Sequence, residues 1–245
     1  MRALVFALLW GLSLSALADA IPTRIAINYS IRSGAFEGEA NDTLEIKLED
    51  GTHSYAISSA TRALGLLALA QSGDILRDSV GTITEQGLQP SRFFDQRPDK
   101  LPRVSTFDWE KGLLTINNRG SEQQKPLPIG TQDRLSFLYC FAFSPPPGDG
   151  PLEVYETDGR TLKLVHYVVD KETLKTPIGE LETIVLTKQL QGDDKLVRKI
   201  WLASAYYMLP VRIMSTESDL LLDYMVTRIS SGAASGLRLE IELLP

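Results

Sequence analysis

The sequence predicts a mainly β fold, an antiparallel curved sheet or open barrel with one short helix. Apolar and polar residues alternate with a period of two along most of the chain, and Asp-Gly dipeptides typical of tight hairpins separate the alternating runs. Patterns with the helical period are scarce. Many short antiparallel strands joined by hairpins, together with one helix, predict a single curved sheet or open barrel.

The N-terminal half contains three alternating runs. Asp50-Gly51 marks the hairpin between the second and the third, because glycine adopts positive φ without steric cost. The alternating apolar positions are Ile25, Ile27, Tyr29 and Ile31, then Leu44, Ile46 and Leu48, then Tyr55 and Ile57.

The C-terminal half continues the same pattern. Asp158-Gly159 predicts a second hairpin, and residues 191–194 predict a turn into a strand over residues 196–203. The alternating apolar positions are Leu162 and Leu164, Ile184 and Leu186, then Leu222, Tyr224 and Val226, and finally Leu237, Leu239, Ile241 and Leu243.

One helix is predicted from Gln132 to about Phe143, with Thr131 as its N-cap and Asp133 in its first turn. The three prolines that follow it end the helix. Residues 60–70 fit either a strand or a short helix. Proline-rich or polar composition predicts loops at residues 90–102, 118–130 and 145–150.

Residues 1–20 have the layout of a secretory signal peptide. Arg2 precedes an apolar run over residues 3–17, and Ala18 and Ala20 supply the small residues of a cleavage site. We therefore expect cleavage near Ala20 and a periplasmic or secreted protein with one β-rich domain over residues 21–245. The leader is too short for an anchor, and we expect no transmembrane segment in the mature chain.

Composition limits the partners. The net charge of -6 and the lack of a basic block argue against nucleic acid. Cys140 is the only cysteine, so no internal disulfide can form, and its apolar neighbours predict a small buried side chain.

No catalytic motif, metal-ligand spacing or cofactor-binding loop is found, so we expect no catalytic residue, no metal and no cofactor. His53 is predicted to be exposed and His166 to point inward. Asp108, between two aromatic residues, fits either a general acid with a raised pKa or a turn carboxylate that accepts backbone N–H bonds. We expect the turn carboxylate.

Aromatic residues on the predicted strands and helix suggest a ligand. The apolar concave side of a curved sheet must be covered by the protein's own elements or by a ligand. An ordinary core filled by these rings is the alternative. The candidate ligand-binding residues are Tyr29, Phe107, Trp109, Tyr139, Trp201 and Tyr207.

Several motifs in order resemble a family of exported bacterial proteins, the domain of unknown function 3108 family. They are Gly87-Leu88-Gln89-Pro90, Phe107-Asp108-Trp109, Leu127-Pro128-Ile129-Gly130-Thr131-Gln132-Asp133, Thr176-Pro177-Ile178-Gly179 and Ile200-Trp201-Leu202-Ala203. The resemblance implies a periplasmic β-rich protein without an established activity. By analogy, the fold is expected to be like that of the lipoprotein-carrier group, an unclosed barrel around a helix-bearing apolar hollow.

Three functions remain open at this point. The first is a non-enzymatic binding module for an apolar or lipid-like small molecule. The second is a structural or interaction protein of the cell envelope that docks a protein partner through a sheet edge or residues 90–102. The third is an envelope hydrolase, although nucleophile-and-base arrangements normally leave a trace in sequence.

Overall fold

A computed structural model describes residues 21–34, 36–65, 73–147, 150–192, 196–217, 220–232 and 238–239. The expected signal peptide lies outside the described residues. So does most of the last predicted strand, of which only Arg238–Leu239 is described.

The N-terminal half forms an antiparallel meander in chain order. Its strands are β1 (Arg24–Ser33), β2 (Phe36–Glu49), β3 (Thr52–Ala63), β4 (Ile75–Thr84), β5 (Gly87–Gln96), β6 (Arg103–Asp108), β7 (Leu113–Asn118) and β8 (Ser121–Pro126).

The C-terminal half begins with a short strand that runs parallel to its neighbour, and then forms a second antiparallel meander. Its strands are β9 (Gln132–Asp133), β10 (Pro151–Thr157), β11 (Leu162–Thr176), β12 (Gly179–Lys188), β13 (Arg198–Ala203), β14 (Leu209–Glu217), β15 (Leu220–Gly232) and β16 (Arg238–Leu239). Helix α1 (Ser136–Tyr139) continues into a 3₁₀ turn at Cys140–Ala142, and a second 3₁₀ turn spans Ser204–Tyr206.

Both meanders belong to one sheet because β1 pairs with β15. The strand order runs from β8 back to β1, crosses to β15, and then runs back to β9. The end strands, β8 and β9, do not pair with each other, so the sheet is curved and open. This confirms the predicted fold class, a mainly β protein with one short helix.

The predicted start of the helix is wrong. Gln132 and Asp133 pair with Glu156 and Thr157 of β10, and the helix begins only at Ser136. The Asp133 carboxylate accepts the backbone N–H groups of Leu135 and Ser136, each at 2.8 Å. This side-chain turn holds the chain extended up to Asp133 and opens the helix after it.

Two of the predicted loops are also wrong in extent. Residues 90–96 belong to β5, because a register shift between Val80 and Gly81 accommodates Pro90 within the ladder. Only residues 97–102 connect β5 to β6. Within residues 118–130, the polar and mostly exposed strand β8 forms an edge of the sheet.

The face of the sheet that carries α1 is mainly apolar, but a polar row crosses it. Directly opposed residues of neighbouring antiparallel strands point to the same face. On β2 to β6 these opposed residues are Asp42, Ser59, Arg77, Asp95 and Arg103, and all five are buried.

The opposite face of β12 and β13 is buried as well. Trp201 is 2% exposed and lies opposite Val185 and Arg212 in the ladders. The Lys199 Nζ lies 4.6 Å and the Arg212 Cζ 4.7 Å from the centre of the indole ring. Because these charged groups cover the ring, both faces of β13 are buried at this point.

We expect Trp201→Ala to lower the free energy of unfolding by about 3–5 kcal/mol, since the change removes buried apolar area and leaves a cavity. Urea denaturation measures the loss. Tyr155→Ala, at a ring that is 36% exposed, is the matched control and should lose far less. A wild-type unfolding midpoint for Trp201→Ala would show that the ring is not part of the core.

Gly159→Ala tests the closure of the β10–β11 hairpin onto β6. Gly159 has φ +79°, and a Cβ there would lie 2.9 Å from the Arg103 Cβ. Gly112 has φ +62° with open space around it, so Gly112→Ala has only the backbone strain of about 1 kcal/mol. Gly159→Ala should destabilise the protein clearly more than Gly112→Ala, and equal losses in urea denaturation would contradict the close packing.

Candidate functional site

A cavity of about 180 Å³ lies at one end of the sheet, where β1 and β3 end and β2, β4 and β15 begin. We call it the apolar cavity. The large apolar side chains that line it are Ile31, Phe36, Ile75, Leu220 and Leu222. Ile31 is directly opposite Tyr224, whose side chain lies in the core. The cavity is therefore the open end of the interior that α1 fills further along.

Solvent-exposed apolar side chains surround this cavity. Phe36 is 42% exposed and Leu220 is 45% exposed, and both line the cavity. Scattered exposed leucines need no explanation, but a contiguous group at the mouth of a cavity is typical of a binding surface.

Polar side chains also line the cavity, namely Ser33, Glu37, Thr61, Arg62 and Arg97. The Thr61 hydroxyl is buried and has no hydrogen-bond partner among the described residues. Arg62 forms a two-pronged ion pair with Asp74, with both N···O distances 2.9 Å. A lining of apolar side chains with charged and polar residues beside them fits an apolar ligand that carries a polar group.

The six aromatic residues proposed as ligand contacts are not gathered around this cavity. Tyr29 and Tyr139 are buried on the helix-bearing face, where the Tyr29 hydroxyl donates to the Pro210 carbonyl at 2.7 Å. Trp201 lies on the opposite face. These positions account for the three rings as packing, and their contact with a ligand stays a prediction.

The other three lie elsewhere. Phe107 and Trp109 stack with their ring centres 6.1 Å apart, and the Trp109 indole N–H donates to the Pro90 carbonyl. Tyr207 is half-buried in a turn with φ +51°. Pro90 and Trp109 come from two family-like motifs that were noted separately, and the structure brings them into contact.

The remaining candidates have structural roles. The Asp108 carboxylate accepts the Lys111 backbone N–H at 2.9 Å and pairs with its ammonium group at 2.7 Å. These bonds hold the pKa of Asp108 below its usual value. This confirms the turn carboxylate. His53 is exposed, as predicted. The predicted inward orientation of His166 is wrong, because the neighbouring Tyr167 packs on the helix and His166 points to the other face, where it lies 3.1 Å from Glu153.

Cys140 lies at the end of α1, and its thiol donates to the Phe137 carbonyl at 3.3 Å. Burial raises the pKa of the thiol, with the nearby Glu156 adding to the rise. A thiol held in its neutral form is a poor nucleophile, which agrees with the predicted packing role.

Asp133 is fully buried in the middle of the helix-bearing face. Its second oxygen accepts a hydrogen bond from the Ser79 hydroxyl at 2.6 Å, and Ser79 in turn lies 3.1 Å from the Tyr55 hydroxyl. Burial raises the pKa of Asp133 to about 6, although the hydrogen bonds from Ser79, Leu135 and Ser136 oppose the rise.

A second buried polar group joins the C-terminal strands to the helix. Arg198 pairs with Glu156, which also accepts the Tyr167 hydroxyl at 2.7 Å. The guanidinium donates to the Arg134 carbonyl at 3.0 Å and lies 5.3 Å from the centre of the Phe137 ring. These contacts fix the orientation of Arg198.

Sequence reasoning missed the polar residues of the interior. On β2, Asp42 lies two residues after Ala40 and two before Leu44. Because every second side chain of a strand points to the same face, Asp42 points inward with these two apolar residues. Thr61 and Arg198 likewise occupy inward positions of the alternating pattern in their strands. The alternation carried the signal, but only apolar residues were assigned to the inward face of these strands.

Among the residues that the structure describes, no helix is long and apolar enough to cross a membrane. In the same part of the chain, no group of three or more histidine, cysteine, aspartate or glutamate side chains is placed to hold a metal ion.

Comparisons with known proteins give one family and a structural likeness. A family model described as "Protein of unknown function (DUF3108)" matches residues 27–219. No curated protein matches the chain. A solved structure, described as a beta-barrel-like protein of domain of unknown function DUF1849 from Brucella abortus, is 8% identical. The match covers 85% of this chain and 98% of that one, with a TM-score of 0.49.

The raised pKa of Asp133 predicts a pH-dependent stability. Because its folded pKa of about 6 lies above the unfolded value of about 3.9, the folded state takes up a proton between these pH values that the unfolded state does not. Acidification through this window therefore stabilises the fold. Asp133→Asn keeps the backbone acceptor and removes the titration. From pH 7 to pH 4.5, wild type should gain on the order of 2 kcal/mol relative to the variant in urea denaturation.

Asp108→Asn supplies the opposite sign as a control. With a lowered pKa, the Asp108 carboxylate contributes stability that is present above its unfolded pKa and lost as pH falls through its folded pKa. The advantage of wild type over this variant should shrink on acidification. Parallel pH trends for the two variants would contradict the two environments assigned here.

Proposed function

We propose that this chain, which belongs to the DUF3108 family of proteins of unknown function, is a non-enzymatic binding module for an apolar or lipid-like ligand. The apolar cavity carries the proposal, because it is the place where the interior of the curved sheet reaches solvent through exposed apolar side chains. We further propose that the protein works in the periplasm or outside the cell, after export directed by residues 1–20.

The size of the cavity limits the ligand. A dry apolar cavity of ~150 Å³ accepts benzene. The apolar cavity, at about 180 Å³, therefore accommodates a ring or a short stretch of an acyl chain. It cannot enclose a two-chain lipid. A longer ligand must extend across the exposed Phe36 and Leu220 at the mouth.

The chemistry of the walls limits the ligand further. Burying an apolar group here gains about 25 cal/mol for each Å² removed from water. Ser33, Glu37, Arg62 and Arg97 supply polar groups in the lining of the same cavity. A single-chain amphiphile with an oxygen near its chain satisfies both features.

A protein partner is the alternative that the exposed apolar mouth also suits. The free edge at β8 does not favour it, because Lys125 and Pro126 lie in a strand without an apolar residue, a composition that blocks strand addition. Crosslinking in cells would recover one dominant polypeptide for a docking protein. A carrier would instead recover lipids.

Native mass spectrometry of the protein from the periplasmic fraction, with its first residue identified by N-terminal sequencing, tests the proposal directly. We expect a start at Ile21 and a co-purifying amphiphile that solvent extraction releases. Decanoate, titrated into extracted protein by calorimetry, serves as the defined probe.

Leu222→Trp should fill the apolar cavity and abolish decanoate binding, because the indole occupies the space that the chain needs. Leu164→Trp is the matched control, since Leu164 is 39% exposed on β11 and does not line the cavity. It should bind like wild type. Equal decanoate binding by the two variants would exclude the apolar cavity as the site, and thermal unfolding establishes that both are folded.

A further inference from the structure

Exposed apolar side chains gather at one end of the sheet. Each strand of the two meanders runs in the opposite direction to its neighbours, so alternate connections within each meander lie at the same end. We call the end at which β1 finishes the upper end. The mouth of the apolar cavity lies there, since its lining includes residues from the end of β1 and the start of β2.

Five connections at the upper end carry large apolar side chains that are at least 39% exposed. These connections are β1–β2, β3–β4, β5–β6, β12–β13 and β14–β15. In or beside them are Phe36, Leu64, Leu101, Leu190, Leu196 and Leu220, which we call the apolar rim. In the described part of the opposite end, such side chains are limited to Leu48 and Ile129. The apolar exposure of the connections is therefore concentrated at the upper end.

The arrangement of the apolar rim favours one kind of partner. Exposed leucines scattered singly are normal, whereas a concentration of them at one end of a protein marks contact with an apolar partner or phase. The rim residues belong to five separate connections along the end of a curved sheet, so they do not form a flat patch. A protein that packs on one face of the sheet would cover only some of them. A bilayer covers them all, because the whole end of the sheet meets its surface.

Charge at the upper end is close to balanced. In its described connections, the acidic residues Asp74, Asp99 and Asp158 accompany the basic residues Arg97, Lys100, Arg119 and Arg160. Arg97 pairs with Asp95, and Arg160 pairs with Asp158, each at 3.4 Å. Anionic membranes attract clusters of lysine and arginine, whereas the whole chain has a net charge of -6. The surface that suits this end is therefore a zwitterionic one.

The apolar rim is continuous with the apolar cavity. Phe36 and Leu220 belong to the rim and also line the cavity. The mouth of the cavity therefore opens among side chains that would themselves contact a membrane.

We propose that the apolar rim docks on the surface of a zwitterionic phospholipid bilayer, with its side chains inserted at the boundary between head groups and acyl chains. In this position the mouth of the apolar cavity opens into the layer in which a single-chain amphiphile dissolves. The chain of the ligand then passes between bilayer and cavity without exposure to water, which would oppose the transfer. This role rests on the proposed function, because it identifies the source of the proposed ligand.

Sedimentation of the full mature protein with phosphatidylcholine vesicles tests the docking. We expect binding that added salt does not weaken, because burial of apolar area drives it. Phosphatidylglycerol vesicles should bind the protein no more tightly than phosphatidylcholine vesicles do. If the protein does not sediment with phosphatidylcholine, or sediments only with phosphatidylglycerol and is released by salt, the proposal is wrong.

Leu101→Asp tests the rim against a matched control. Leu101 is 65% exposed in the β5–β6 connection, and Leu48 is 62% exposed at the opposite end. Leu101→Asp should weaken binding to phosphatidylcholine vesicles about tenfold or more, because a charge replaces an apolar side chain that enters the bilayer. Leu48→Asp should bind like wild type. Leu190→Asp, in a separate connection, should reproduce the loss. Thermal unfolding establishes that the variants are folded, and equal vesicle binding by Leu101→Asp and Leu48→Asp would contradict the assigned orientation.

Decanoate titration separates failure of this proposal from failure of the proposed function. Leu222→Trp blocks the apolar cavity and should bind phosphatidylcholine vesicles like wild type. Leu101 does not line the cavity, so Leu101→Asp should bind decanoate like wild type. Decanoate binding without vesicle binding would overturn the docking alone, whereas vesicle binding without decanoate binding would overturn the proposed function alone. Crosslinking at the rim that recovers one dominant polypeptide, from a protein that does not sediment with vesicles, would assign the rim to a protein partner instead.

Discussion

The pairing of β1 with β15 is the constraint on which the rest of the structure depends. Each half of the chain is a meander whose neighbouring strands are close in sequence. Among the described strands, this ladder alone, with contacts such as Ile31 opposite Tyr224, unites the halves into one sheet. Its partners lie far apart along the chain, so this junction must close a very long loop. Once it forms, the strand order places β8 and β9 at opposite ends, and the curved sheet stays open.

The polar interior follows from that arrangement. Asp42, Ser59, Arg77 and Asp95 occupy consecutive strands at one level of the N-terminal half, and this half supplies arginine partners for Asp95 from its own strands and loops. The C-terminal half supplies more. Tyr139 bonds Asp42, and Asp133 bonds Ser79 one level away. Burial alone would raise the pKa of Asp95, but Arg77 and Arg97 hold it below its usual value. The buried polar groups thus find their partners only when the sheet closes correctly. Another register of the strands would leave some of them unpaired and would therefore be less stable.

Alternation in the sequence was enough to predict the strands, because an apolar residue at every second position of β1 is by itself a sign of burial. Ile25, Ile27 and Ile31 are all at most 6% exposed. The start of the helix could not be predicted in this way. Thr131 and Asp133 both fit a helix N-terminus locally. The pairing of Gln132 with Glu156, a contact made only in the folded chain, makes this segment a strand instead.

The outward burial of Trp201 likewise depends on Lys199 and Arg212, which align with the ring only once β13 pairs with β14. The aromatic residues were predicted to contact a ligand because of their size. The oxygens of Asp42 and Thr61 that are unpaired among the described residues could not be predicted from the sequence. Whether a buried oxygen has a hydrogen-bond partner depends on how the folded interior packs.

The shortness of α1 accounts for where the cavities lie. Four helical residues and one 3₁₀ turn can cover only the middle of a concave face that strands of ten or more residues create. Phe137 and Tyr139 fill that middle, with Phe137 stacked on Tyr167 at 5.0 Å between ring centres. On one side of the helix the uncovered face is apolar and ends at Phe36 and Leu222. Beside the helix it is polar and is lined by Arg198 and Asp42. A longer helix at this place would exclude both spaces. The two chemically different cavities therefore lie where the open sheet extends beyond a helix that is too short to cover its concave face.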